Sequence, residues 1–225
     1  MGSDTGPTAI LSGLNKALWR NPRLYFLIFG DEAEIMPLLN KRPLLKERSE
    51  FRHVPGVVTM DDKPSQVVRH GKGTSMWAAV EAVRDREAQV CISCGNTGAL
   101  MALSMLRLRK LPNVNRPAIA CLWPSRNPTG FNVMLDAGAD IRADAEDLVQ
   151  YALMGASYAH IALELELPRV GLLNVGTEEH KGRTELKAAH DALMDTAAEG
   201  GFEYVGYIEG GDIPSDKVDV VVTDG

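Results

Sequence analysis

The 225-residue sequence lacks several features that would mark common functional classes. It has no run approaching the roughly 18 apolar residues of a membrane-spanning helix. Its amino terminus also has no basic stretch leading into an apolar one, which a secretion signal would need. A cytoplasmic location is therefore the default expectation. The three cysteines are an odd number in a chain long enough to fold without disulfides, so we predict reduced thiols.

Positive charge is also scarce, because 24 Lys and Arg against 30 Asp and Glu give a net charge of -6. A general nucleic-acid-binding protein needs a basic face, so that class is disfavoured. No G-x-G-x-x-G pattern occurs, and the sequence RHGKGTSM at Arg69 lacks the spacing of a phosphate loop. One Cys-x-x-Cys is present, but Cys91 lies inside a predicted strand and no second pair follows. We therefore predict structural cysteines rather than a redox or zinc site.

The sequence does contain short apolar runs that alternate with segments of helical periodicity. This alternation predicts right-handed crossovers and a mainly parallel sheet covered by helices on both faces, which is a three-layer α/β/α fold. We expect one α/β domain over residues 1–225, truncated at both ends, with its first strand and its C-terminal part absent. The predicted helices are 8–20, 32–39, 75–84, 97–108, 145–165 and 183–198, and the predicted strands are 24–29, 88–93, 118–123, 131–136, 170–175, 204–208 and 218–223.

The most suggestive motif is SCGNTGALM, which starts at Ser93 and follows the apolar strand predicted at 88–93. Asn96 is a good helix cap, so the amides of Thr97, Gly98 and Ala99 would be free at the carboxyl edge of the sheet. Free amides and the helix dipole together make a site for phosphate or an oxyanion. The alternative is a strand-to-helix turn with nothing bound, and the local pattern leaves both open.

Charged residues follow two other predicted strands. Lys181 precedes a helix, at the positive end of its dipole, where a lysine is unfavourable unless it meets an anion. The alternative is a solvated lysine neutralised by Glu178 or the glutamate after it. Asp136 and Asp140 could order a lysine or accept a proton, or they could simply form turns. Of the two aspartates, Asp136 is the stronger candidate.

A basic cluster lies where the helix that starts at Thr97 ends. Cations at this end of a helix stabilise its dipole and its last carbonyl groups. On an acidic protein, such a cluster could also attract an acidic protein partner. Both interpretations remain open, and the cluster consists of Arg107, Arg109, Lys110 and Arg116.

Nine motifs in a fixed order together resemble one family, the phosphate acyltransferases of the bacterial phospholipid pathway, known as PlsX or acyl-acyl carrier protein:phosphate acyltransferases. The resemblance implies a fold like that of the isocitrate and isopropylmalate dehydrogenases and a homodimer. It also implies acyl transfer from acyl-acyl carrier protein to inorganic phosphate, giving acyl phosphate without metal or cofactor. The motifs are MGSDTGP at Met1, KPSQVVR at Lys63, SCGNTGALM at Ser93, RPAIA at Arg116, LDAGAD at Leu135, LVQYALMGASYA at Leu148, NVGTEEHKG at Asn174, GYIEGGDI at Gly206 and DVVVTDG at Asp219.

The same resemblance implies roles for the candidate residues. The acidic carrier protein would dock on the basic cluster, and peripheral contact with the inner face of the membrane would involve a region beyond residue 225. Lys181 would be catalytic and the amides at Asn96, Thr97 and Gly98 would bind phosphate or the oxyanion, while Asp4, Asp136 and Glu178 would line the site.

The chain departs from the family pattern at three places. Ser3 stands where the family usually has glycine, and Asp140 begins a sequence that replaces the usual Asn-x-Asp. The family also continues beyond Gly225 into a Phe-Thr-Gly-Asn segment. Two alternatives to the acyltransferase interpretation also remain, a metal-dependent dehydrogenase of the same fold and a non-catalytic scaffold that binds the carrier protein. The dehydrogenase would need clustered metal-binding aspartates and a dinucleotide site, and the sequence offers neither clearly.

Overall fold

The chain divides into two units, Met1–Lys110 and Leu111–Gly225, in a computed structural model that describes residues 2–139, 142–176 and 181–224. Each unit has its own buried clusters of apolar side chains. The expectation of one domain over residues 1–225 stays a prediction. No helix of the described residues is long and apolar enough to cross a membrane.

The first unit contains six helices and two strands among its described residues. The two strands pair in parallel, with Phe26 opposite Ser49 and Gly30 opposite His53. The elements are α1 (Gly6–Arg20), β1 (Phe26–Gly30), α2 (Glu32–Leu39), α3 (Pro43–Glu47), β2 (Ser49–His53), α4 (Pro64–His70), α5 (Ser75–Arg84) and α6 (Thr97–Leu108).

Local capping explains where several of these helices begin. Asp31 caps α2, because its carboxylate accepts a hydrogen bond of 2.8 Å from the Ala33 amide. Thr74 caps α5 in the same way, through a 3.3 Å bond from the amide of Trp77. Proline occupies the first turn of α1, α3 and α4, where a missing amide hydrogen removes no intrahelical bond.

Residues 88–93 do not form the predicted strand, because no described strand lies beside them to complete a hydrogen-bonded ladder. Cys91 packs against the core formed by α4, α5 and α6, whereas Val90 and Ile92 are 70% and 68% exposed. A cavity of about 720 Å³ separates this segment from β1, and α1 and α5 form its other walls. One face of segment 88–93 is therefore partly buried, although no strand of the described residues pairs with this segment.

The second unit contains one five-stranded sheet with the strand order β3-β4-β7-β5-β6. Only β3 is antiparallel to its neighbour, and the other pairs are parallel. The predicted α/β fold with a mainly parallel sheet is therefore confirmed. The elements are β3 (Cys121–Pro124), β4 (Phe131–Leu135), α7 (Ala145–Ala162), β5 (Arg169–Leu173), α8 (Thr184–Gly200), β6 (Glu203–Ile208) and β7 (Val220–Val222).

Two helices of the second unit pack together against its sheet. Tyr151 and Leu148 on α7 are fully buried with Leu193 on α8 and Val220 on β7. Gly155 brings α7 close to the sheet, since a Cβ there would lie 2.5 Å from Val220 Cγ1. Because β4, β7 and β5 are adjacent and parallel, the residues that follow them share one edge of the sheet.

Candidate functional site

Asn96 joins the SCGNTGALM turn to the preceding loop of the first unit. It is 8% exposed and caps α6, with Oδ1 accepting a hydrogen bond of 2.9 Å from the Ala99 amide. Its Nδ2 donates to the carbonyl oxygens of Thr59, Met60 and Asp62 at 3.2, 3.2 and 2.9 Å. The carboxamide is therefore committed to structure, so Asn96 has only its backbone amide to offer a ligand.

Two glycines of this turn allow other motifs to approach it closely. A Cβ at Gly95 would lie 3.2 Å from the carbonyl oxygen of Gly2, in the motif MGSDTGP. A Cβ at Gly98 would lie 3.0 Å from Pro64 Cγ, in the motif KPSQVVR. Three of the nine motifs that define the resemblance therefore meet at the start of α6.

The start of α6 carries free hydrogen-bond donors. The amides of Asn96, Thr97 and Gly98 donate to no acceptor within the described ranges of the chain. The expectation for Ala99 was wrong, because the Asn96 side chain already caps that amide. Adjacent free amides at the positive end of a 12-residue helix are suited to an anionic oxygen.

Asp4 lies in an exposed turn before α1, in the same unit as Asn96. The turn is closed by a 3.1 Å hydrogen bond from the Gly6 amide to the Ser3 carbonyl oxygen. The carboxylate of Asp4 makes no hydrogen bond or ion pair with any other described residue. The side chain is consequently available to solvent or to a ligand.

Asp136 lies at the carboxyl edge of the sheet in the second unit, directly after β4. The residue is completely buried, and its Oδ1 accepts a 2.7 Å hydrogen bond from the Ile119 amide. Its own amide donates to the carbonyl oxygen of Thr223 at 2.9 Å, which extends the pairing between β4 and β7. Asp136 follows a strand as the sequence indicated, and its contacts show that the carboxylate orders the surrounding backbone, while its place in the lining of the site stays a prediction.

Lys181 lies at the same edge, in the connection between β5 and α8. The amide Nδ2 of Asn174, the residue after β5, donates to the Lys181 carbonyl oxygen at 3.3 Å. Gly182 has a φ of +88°, and a Cβ there would lie 2.4 Å from Asn174 Oδ1. Asn174 and Lys181 therefore meet through the lysine backbone, a contact that the sequence analysis missed.

An ion pair between Arg183 and Asp224 completes this edge and was also missed. Arg183 immediately precedes α8 without making a side-chain capping bond, and its Nη2 contacts Oδ2 of Asp224, two residues after β7. The only available signal was positional, since Asp224 directly follows an apolar strand and Arg183 precedes a helix. The edge therefore presents Asp136, Asn174 and Asp224 after three neighbouring strands.

Some predicted residues cannot be placed. Glu178, predicted to line the site, lies outside the described residues, and so does Asp140, the weaker of the two aspartate candidates. Glu179, the other glutamate that could neutralise Lys181, also lies outside the described residues.

The three cysteines are free thiols. Burial raises the pKa of the Cys91 thiol, and burial also raises the pKa of Cys121. A reactive cysteine requires the opposite shift, because the thiolate is the nucleophile. These environments agree with structural cysteines rather than a redox pair.

Arg107, Arg109 and Lys110 of the basic cluster belong to the first unit and Arg116 to the second, and Arg107 and Arg116 each have a carboxylate partner. Arg107 pairs with Glu81, and its guanidinium carbon lies 5.1 Å from the centre of the Trp77 ring. In the second unit, Nε of Arg116 lies 3.7 Å from Oδ2 of Asp147. Lys110 and Arg109 follow α6, and Arg109 is its exposed C-terminal cap.

Solved structures of other proteins share this fold. A phosphotransacetylase from Streptococcus pyogenes is 15% identical with a TM-score of 0.67, over 95% of this chain and 73% of that one. A branched-chain phosphotransacylase from Enterococcus faecalis is 16% identical with a TM-score of 0.64, over 99% and 77%. Identities this low show the fold alone. The fold is thus the α/β class that these phosphotransacylases have.

The chain belongs to the family described as "Fatty acid synthesis protein", whose sequence pattern matches residues 1–225. It is 67% identical to a phosphate acyltransferase of Cereibacter sphaeroides, 66% to one of Dinoroseobacter shibae and 64% to one of Paracoccus denitrificans. Each match covers all of this chain but only 61%, 58% and 61% of the relative. The resemblance to phosphate acyltransferases is confirmed, and the chain spans about three fifths of their length.

Proposed function

We propose that the full-length protein transfers a fatty acyl group from acyl-acyl carrier protein to inorganic phosphate, giving acyl phosphate for phospholipid synthesis. The observation that carries this proposal is the set of free amides at Asn96, Thr97 and Gly98. Such donors stabilise phosphate or an oxyanion when they point into a site. Relatives named phosphate acyltransferase at 67% and 64% identity support the proposal.

The reaction needs a nucleophile, an oxyanion site and a leaving group. A phosphate oxygen forms a bond to the thioester carbonyl carbon, whose oxygen becomes an oxyanion. The carbon–sulfur bond then breaks, and the carrier protein leaves as a thiolate. A well-aimed donor at the oxyanion is worth about 3 kcal/mol in other acyl-transfer enzymes. Phosphate is itself the nucleophile, so no serine or cysteine of the protein need be acylated.

Lys181 has the catalytic role in this proposal, because its ammonium group lowers the repulsion between anionic phosphate and the electron-rich carbonyl. Asp4, Asp136 and Glu178 are proposed to line the site. The transfer needs no oxidant or reductant, and the family resemblance implies neither a cofactor nor a metal.

The partners are also part of the proposal. Acyl-acyl carrier protein is acidic, so the cluster of Arg107, Arg109, Lys110 and Arg116 is proposed to contribute to its docking. The protein is proposed to act as a homodimer in the cytoplasm, with peripheral contact at the inner face of the membrane.

The test is a phosphate-dependence assay with the full-length protein and acyl-acyl carrier protein. Acyl phosphate is trapped with hydroxylamine, and remaining thioester is measured in the same samples. We expect thioester loss and trapped product only when phosphate is present. Carrier binding without phosphate-dependent thioester loss would overturn the proposal in favour of a scaffold.

Two variants make the assay specific. Lys181→Ala should lower turnover by about a hundredfold, the order of loss when a positioned charged group is removed. Lys16→Ala is the control, since Lys16 is an exposed lysine on α1. Wild-type turnover in Lys181→Ala would remove Lys181 from the mechanism.

A further inference from the structure

The carboxamide of Asn174 connects the two ends of the segment between β5 and α8. The backbone of Asn174 is fixed to the sheet, because its amide donates to the Ile208 carbonyl oxygen on β6 at 2.9 Å. Its side-chain Oδ1 accepts from the Val175 amide at 2.9 Å, and its Nδ2 donates to the Lys181 carbonyl oxygen at 3.3 Å. Asn174 therefore connects the backbone of Lys181 to the sheet by hydrogen bonds.

The packing of Gly182 adds a steric constraint to these hydrogen bonds. A Cβ at Gly182 would lie 2.8 Å from Nδ2 and 2.9 Å from Cγ of Asn174, so the glycine backbone rests directly on the carboxamide. Its positive φ of 88° is also a conformation that favours glycine. The carboxamide of Asn174 therefore restricts the backbone conformation of Gly182, the residue after Lys181.

The residue after Gly182 is anchored to the neighbouring strand. Arg183 is ion-paired with Asp224, and the side chain of Asp224 is 19% exposed. Residues 181–183 are thus connected to the ends of β5 and β7, which are adjacent in the sheet. Such double anchoring restricts where the Lys181 side chain leaves the backbone.

We propose that Asn174 is a positioning residue, which sets the backbone of Lys181 and so the place where its ammonium group meets phosphate. This inference rests on the proposed function. Asparagine suits the role because one carboxamide supplies an acceptor for Val175 and a donor for Lys181. Aspartate has the same shape but would place a carboxylate oxygen against the Lys181 carbonyl, which removes the donor.

The main test measures phosphate and carrier kinetics of Asn174→Asp in the full-length protein. We expect the KM for phosphate to rise about tenfold, the scale of one lost hydrogen bond, while the KM for acyl-acyl carrier protein stays unchanged. If Asn174 acts through Lys181, its substitution should have no further effect in a Lys181→Ala background. Additive effects in that double variant, or an unchanged phosphate KM, would overturn the inference.

Asn127→Asp is the matched control in the same unit. Asn127 is 4% exposed, and its Nδ2 donates to the Val218 carbonyl oxygen at 2.7 Å, before the start of β7. This substitution should change the thermal unfolding temperature without changing the KM for phosphate. An equal rise in phosphate KM for both variants would mean that Asn174 has only a general structural role.

A second measurement separates this inference from the proposed function. Trypsin cleaves after Lys181 and Arg183, so its cleavage rate there reports how firmly the segment is attached. Asn174→Asp should be cut several times faster than wild type at these two residues, even if the wild-type protein forms no acyl phosphate. Equal cleavage rates would overturn the positioning role, whereas missing phosphate-dependent activity in wild type would overturn the proposed function.

Discussion

The guanidinium of Arg169 and the carboxylate of Asp219 form a bidentate pair between β5 and the start of β7. Nε donates to Oδ2 and Nη2 to Oδ1, both at 2.9 Å. The backbones of the two residues are also joined, because the Asp219 amide donates to the Arg169 carbonyl oxygen at 2.9 Å. Hydrogen bonding to Asp219 raises the pKa of Arg169, so the cation is stabilised by the fold.

We expect Asp219→Asn to destabilise the second unit by about 2 kcal/mol, because a mostly buried carboxylate partner of an arginine is lost. The side chain of Asp219 is only 11% exposed. That of Arg169 is 34% exposed, and its exposure to solvent limits the loss of stability. Urea unfolding measures the change. Asp212→Asn is the control, since its pair with Lys217 is more exposed and should be worth less than about 1 kcal/mol. Equal losses would contradict this account.

The Asn96 side chain should be worth more to stability than an ordinary helix cap. Asn96→Ala removes the Ala99 cap and three bonds to the 59–62 segment, so we expect a loss of about 2 to 3 kcal/mol in the first unit. Asn21→Ala is a matched control, because exposed Asn21 makes a single side-chain bond of 3.1 Å to the Arg23 amide. Thermal unfolding of both variants gives the comparison, and similar losses would refute a bridging role for Asn96.

The cysteines should differ in their reaction with thiol reagents. Cys94 is exposed, whereas burial raises the pKa of Cys91 and leaves less thiolate at any given pH. We expect alkylation at pH 7.5 to modify Cys94 first, and modification of Cys91 to become faster as the pH rises toward its raised pKa. Mass spectrometry of the alkylated peptides provides the readout. Rapid formation of a Cys91–Cys94 disulfide under mild oxidation would contradict the structural interpretation.

Carrier docking can be tested at the exposed end of α6. Reversing the charge with Arg109→Glu should raise the KM for acyl-acyl carrier protein about fivefold at low salt, while the KM for phosphate stays unchanged. The difference in this KM between Arg109→Glu and wild type should become smaller as ionic strength rises, because salt screens exposed charges. Arg20→Glu is the control, because Arg20 is an exposed arginine at the end of α1. If both reversals have the same effect, only the net charge matters and the docking role fails.

Local signals account for what the sequence predicted well. Helices α5 and α6 begin and end where expected, because Thr74 and Asn96 cap them within three residues and apolar spacing marks their length. The analysis did not find α3, α4 or β2, which have five, seven and five residues and too few turns or alternations to show a period.

Tertiary pairing explains what could not be predicted. Arg183 and Asp224 are 41 residues apart in sequence, and their contact depends on β7 lying beside β5. The apolar segment 88–93 had the composition of a strand, but a strand forms only beside a partner. Asn174 was visible as part of a motif, yet nothing in that motif indicates a hydrogen bond between two residues that are seven positions apart.

The cavity of the first unit has a practical consequence for handling this stretch of protein. The edge of β1 that faces the cavity has no strand partner among the described residues, so its backbone groups can pair with another molecule. Val90 and Ile92, on the opposite wall, add exposed apolar surface to the same place. Residues 1–225 purified alone are therefore expected to aggregate at high concentration by intermolecular strand addition, which light scattering and thioflavin fluorescence would detect.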